Sequence, residues 1–240
     1  MKKQHILATS FTALITIPAH SAVVNFVGGD FATSTNWRTA GVIKPLDPDG
    51  NNIYGTDGYM LTGGAGLVSN PSYATVTRLS SLTFPGNGAY TSIDNPAGGS
   101  PLRTGVWYTT GGVTNQEHDL VQITVNVASS FRVGVLTDNA DFADISPNDL
   151  RIFQTSGGVG DSGMIPAYVE PNTDTDWYFF DIINAQPGDT FTISGTNARS
   201  GSGAQDSNGI GGLTFDSVPE PSSVLLSGIT ALGLLLRRKR

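Results

Sequence analysis

The stretch VQITVNV, residues 121–127, places Val121, Ile123, Val125 and Val127 on one parity and Gln122, Thr124 and Asn126 on the other. Side chains alternate across a strand, so this run has one apolar and one wet face, whereas a helix would scatter the same residues around its circumference. SFRVGVLTD (130–138) repeats the pattern with Phe131, Val133 and Val135. YATVTRLSSLTF (73–84), DWYFFDI (176–182) and DTFTISGT (189–196) are further β-branched and aromatic runs, and in DWYFFDI the parity of Trp177 and Phe179 reads as the core side. Clusters such as PGNGAY, NPAGGSP, TGGVTN and QPGDT separate them and supply turns. No helical period is sustained over residues 23–217, and no repeat of fixed length occurs. The expected fold is all-β, a single antiparallel β-sandwich of jelly-roll-like type. The irregular stretch 46–66, LDPDGNNIYGTDGYMLTGGAG, is expected to be a surface loop.

Both ends depart from this pattern. The chain opens MKKQHILATSFTALITIPAHSAVV: Lys2 and Lys3, an apolar core from Ile6 to Ile17, Pro18, then small residues. That order predicts a secretory signal peptide over residues 1–22, with the Sec export machinery as partner and cleavage after Ser21 or Ala22. The other end runs Pro219-Glu220-Pro221, then an uncharged apolar segment over 222–236, then Arg237, Arg238, Lys239 and Arg240. The apolar run is shorter than the roughly 20 residues of a typical membrane span, and snorkelling cations at its end extend its reach. Those cations stay cytoplasmic, which turns the body outward. The predicted organisation is therefore leader 1–22, body 23–217 and tail 218–240, with the tail's helix in the inner membrane before processing.

Pro-Glu-Pro, a short hydrophobic helix and an Arg-rich end, in that order, resemble the PEP-CTERM sorting signal of Gram-negative bacteria. The resemblance implies recognition of Pro219, Glu220 and Pro221 by exosortase, an integral-membrane thiol transpeptidase. It implies delivery to the cell surface or the extracellular polysaccharide matrix. It transfers no activity to the body. Segments 131–155 and 176–216 also look like β-sandwich bodies found upstream of this tail.

Charge narrows the partners. Residues 23–217 hold seven cations against nineteen carboxylates, a net charge of −12. Such a body is mismatched to nucleic acid, whose phosphates need Lys and Arg. Neutral glycans and divalent cations suit it better. With no cysteine anywhere, disulfides, thiolate nucleophiles and Cys-ligated metals are excluded. Hydrophobic residues make up 38%, enough for a core without disulfide staples.

Catalytic groups are sparse, and a non-enzymatic protein requiring no cofactor is expected. His118 is the one histidine left after leader removal, and NQEHDLVQI sets it in a solvated turn before a strand. A lone histidine without cysteine supplies too few ligands for zinc. Glu117 and Glu170 are the only glutamates of the body. Calcium is the better candidate ion: DPDGNN carries Asp47, Asp49 and Asn51 at alternate positions around Gly50, and DNADFAD carries Asp138, Asn139, Asp141 and Asp144. Asp174 and Asp176 form a smaller cluster. Asp and Asn also cap turns, the plainer reading of each group. Glycan contact would use exposed aromatics, with Trp37, Trp107 and Tyr108 foremost and Tyr54, Tyr59 and Tyr73 beside them. A carbohydrate-binding adhesive module and a secreted glycan hydrolase are the competing functions.

Overall fold

A computed structural model describes residues 21–31, 55–61, 67–79, 82–84, 91–93, 102–104, 106–108, 116–137, 148–166, 176–197 and 209–218. They form β1 (Val23–Phe31), β2 (Gly58–Leu61), β3 (Leu67–Ser69), β4 (Ala74–Arg78), β5 (Leu82–Phe84), β6 (Thr91–Ile93) and β7 (Leu102–Thr104). The second half holds β8 (Val106–Tyr108), β9 (Glu117–Val125), β10 (Ser129–Thr137), β11 (Asn148–Ser156), β12 (Asp176–Ala185), β13 (Thr190–Asn197) and β14 (Gly209–Ser217). The larger sheet runs β1-β12-β10-β14-β2-β3, with β8 on β14 and β5 on β8; the smaller runs β11-β13-β9-β4; β6 and β7 pair separately. Every pairing is antiparallel. The all-β sandwich expected from the alternation is the observed fold.

From β9 to β14 each successive strand crosses to the other sheet, so the apolar parity of each strand faces the opposite layer. Phe131, Val133 and Val135 of β10, Tyr178, Phe180 and Ile182 of β12, and Leu213 and Phe215 of β14 line one side of the core. Val121, Ile123 and Val125 of β9, Phe191 and Ile193 of β13, and Leu150 and Ile152 of β11 line the other. Each such side chain contributes about 1.5–3 kcal/mol when fully buried. Tyr73, in the turn before β4, closes one end, its ring stacked on Phe131 at 4.9 Å.

Four expectations change. Val127 is 56% exposed, because β9 ends at Val125. There the chain turns, and the amides of Asn126 and Val127 donate to the Tyr73 carbonyl at 2.7 and 3.2 Å. Trp177 and Phe179 are buried, but outside the main core: with Leu136 they form a second cluster on the other face of the larger sheet. Between β1 and β10, β12 is covered on both faces, so its burial does not alternate and Tyr178 and Phe180 take the core parity. Tyr73 is core filling rather than a glycan-facing aromatic. Finally, part of the expected 46–66 loop is β2, paired with Gly212–Phe215 of β14 and burying Met60.

The turn joining β12 to β13 is held by Asp189, which is buried and accepts the Gln186 amide at 2.8 Å. Gly157 lies against that carboxylate with φ +93°, a conformation L side chains rarely adopt, and an added Cβ would fall inside the Asp189 carboxylate. Gly157→Ala is expected to cost about 1–3 kcal/mol from backbone strain and overpacking. A lowered denaturant midpoint with an unchanged slope would show it.

Candidate functional site

The chain leaves the sandwich through β14, and that exit is fastened in both directions. The Asp216 carboxylate accepts the amides of Gly55 and Thr56 at 2.8 and 2.9 Å and the Thr56 hydroxyl at 2.8 Å. In return, Asp57 accepts the Ser217 hydroxyl at 2.6 Å and the Tyr73 hydroxyl at 3.3 Å, and its amide donates to the Phe215 carbonyl at 3.1 Å. Burial, then the negative charge of Asp57, pushes the Tyr73 phenol above its ordinary range, so it stays a neutral donor. Val218 follows half-buried. Pro219, Glu220, Pro221, the apolar run and Arg237, Arg238, Lys239 and Arg240 lie outside the described residues, as do residues 1–20 of the leader. Among the described residues no helix is long and apolar enough to cross a membrane.

A second polar cluster sits on the smaller sheet. Arg151 grips Asp161 through two bonds, Nε–Oδ1 at 2.9 Å and Nη2–Oδ2 at 2.6 Å, and lies 3.4 Å from both oxygens of Glu117. Its guanidinium stands 4.7 Å over the Phe153 ring, and the Ser194 hydroxyl donates to Glu117. The bonds from Arg151 hold the Asp161 carboxyl below the usual range. His118 is a residue of β9 rather than of a solvated turn, since the strand starts at Glu117. It is half-buried opposite Gly195, and its Nε2 has no hydrogen-bond partner among the described residues. Ser194, one residue before Gly195 in β13, bonds Glu117.

The third cluster is a buried ion pair on the outer face of the larger sheet. Arg132 and Asp181 sit opposite each other in β10 and β12 and bond at 2.7 and 3.1 Å. They form one rung with Asn25 and Asp216.

Of the residues singled out in the sequence, Ser21 and Ala22 stand at the head of β1: the Val159 amide donates to the Ser21 hydroxyl at 3.2 Å, and Ala22 is buried. Trp107 and Tyr108 belong to β8, opposite Ile210 and Gly209, with side chains outside the description. Tyr59 is half-buried against the Trp177 cluster, and Asp176 opens β12. Trp37, Asp47, Asp49, Asn51, Tyr54, Asp138, Asn139, Asp141, Asp144, Glu170 and Asp174 lie outside the described residues. Among the described ones no three His, Cys, Asp or Glu side chains group as a metal site. The fastening by Asp57 and Asp216 was missed. The Asp57-Gly58 pair is a turn signal that could have located half of it.

The last described strand of the sandwich runs directly, in sequence, into a short apolar, cation-ended tail. Residues 217–240 match the family model of the PEP-CTERM protein-sorting motif, so the chain carries that motif from the last residue of β14 onward. The motif marks an exported protein sorted by exosortase through a membrane-anchored precursor. No curated protein and no solved structure matches the chain.

Proposed function

We propose that the chain is a non-catalytic surface or matrix protein, delivered by its tail and serving as a structural or adhesive module in an extracellular polysaccharide. The observation that carries this reading is the junction: the sorting motif starts at Ser217, where a self-contained sandwich ends. Six of the described acids support the non-catalytic part. Asp57, Asp189 and Asp216 cap turns, while Glu117 and Asp161 share Arg151 and Asp181 pairs with Arg132. A neutral glycan suits the outer face of the smaller sheet, where Thr75, Thr124 and Thr190 form one rung and Thr155 stands 2.8 Å from the Thr190 hydroxyl.

Glu220 is the one charge between the body and the terminal cations, and as part of Pro-Glu-Pro it is a residue the transpeptidase would read. Glu220→Ala is expected to leave a tail-bearing precursor in the inner membrane and to deplete the mature form at the surface. Fractionation with immunoblotting of host cells checks this. Normal maturation of the variant would overturn exosortase-dependent sorting.

A further inference from the structure

The first and last strands of the body meet the same end of the larger sheet. Val24 pairs with Ile182, Ile182 with Phe131, and Phe131 with Ser217, so the start of β1 and the end of β14 share one rung. Three strand spacings separate them, about 14 Å. The strand directions alternate across this rung, so the chain enters at this pole through β1 and leaves at it through β14. The expected leader junction at Ser21–Ala22 and Ser217, where the sorting motif begins, therefore flank a single pole. Only Val218 lies between the last strand residue and Pro219, which leaves almost no spacer.

The surface chemistry of this pole is distinctive. Five large apolar residues are exposed among the described ones, and three belong here: Val23 at 49%, Val127 at 56% and Val159 at 84%. Val23 opens β1, Val127 lies in the turn between β9 and β10, and Val159 hydrogen-bonds back to Ser21. Three described carboxylates near this pole are hydrogen-bonded internally: Asp57 by Ser217 and Tyr73, Asp189 by Gln186, and Asp216 by Gly55 and Thr56. An acidic body is repelled by an anionic bilayer. At this end the three exposed valines offer apolar contact to a lipid surface.

We infer that the precursor stands end-on against the lipid surface, with the pole of Val23, Val127, Val159 and Ser217 facing the bilayer and the opposite pole facing outward. This rests on the sorting reading of the tail and adds the orientation. It places both processing junctions at the membrane. It sets the far ends of β10 and β12, at Thr137 and Asp176, about 20 Å further out.

The absence of cysteine permits a direct test. Val127→Cys and Leu79→Cys, made separately in the full chain, give one labelling position at the inward pole and one about 17 Å further along the smaller sheet; Leu79 donates its amide to the Leu120 carbonyl and is 43% exposed. Each labelled protein is reconstituted into phosphatidylethanolamine–phosphatidylglycerol vesicles containing a headgroup-nitroxide lipid. Quenching at position 127 should exceed that at position 79 several-fold. Equal quenching, or stronger quenching at position 79, overturns the orientation while leaving the tail reading intact. A chain that does not associate with the vesicles overturns the tail reading and the orientation with it.

Discussion

Asp181→Ala is expected to destabilise the body by about 3–5 kcal/mol, the usual cost of removing one partner from a buried ion pair. The side chains of Arg132 and Asp181 are only 10% and 12% exposed, so solvent replaces little of what is lost. Two bonds, Nε–Oδ1 at 2.7 Å and Nη2–Oδ2 at 3.1 Å, tie the guanidinium to the carboxylate in a fork geometry. Truncating Asp181 leaves an arginine that cannot shed its proton, held beside the Trp177 and Phe179 layer. A second variant separates pair energy from packing. Replacing both partners, Arg132→Met with Asp181→Leu, is expected to lie within about 1 kcal/mol of the parent or above it, because desolvation offsets much of a buried pair's attraction. Denaturant unfolding of the body, with the two single variants completing a double-mutant cycle, measures the coupling. A loss below about 1 kcal/mol for Asp181→Ala would show that water reaches the pair.

Legibility followed exposure. Where a strand has one wet face, as β9 does, parity located the core: Val121, Ile123 and Val125 are buried, while Gln122 and Thr124 are half-buried on the other side. Where a strand has no wet face, parity carried no information. In β12 all of Trp177, Tyr178, Phe179 and Phe180 are at most 1% exposed, and only the neighbouring strands decide which face meets the smaller sheet. Polar clusters were legible only when local. The tail stood out because its parts are contiguous, whereas Asp57 and Ser217 meet across 160 residues of chain. The Arg151 cluster draws on β9, β11 and β13 plus the segment after β11, and no spacing within one stretch announces it. β2 was hidden by glycines on both sides, and its place comes from β14, whose edge it completes.

Phe131→Ala should cost about 3–5 kcal/mol, the range for truncating a buried phenylalanine. Phe131 is fully buried in β10 at the rung that joins Ile182 of β12 to Ser217 of β14. Its ring stacks on Tyr73 from the opposite layer at 4.9 Å and an interplanar angle of 29°. Truncation therefore removes an inter-sheet contact as well as apolar area, and any relaxation that closes the gap draws on Tyr73. That movement has a cost of its own, because the Tyr73 hydroxyl donates to the same Asp57 carboxylate that holds Ser217. The core and the base of the sorting tail are thus coupled through one aromatic pair. Phe131→Leu keeps most of the volume and is expected to lose less than about 1.5 kcal/mol. For a body of this size, each kcal/mol lowers the melting temperature by about 2–4 °C, so the two variants are easily separated by calorimetry. Limited proteolysis reads the coupling: cleavage near Ser217 should accelerate in Phe131→Ala well before global unfolding, and stay near the parent rate in Phe131→Leu. Equal protection of that junction in both variants would show that the tail's base is held by Asp57 and Asp216 alone, independently of the aromatic pair.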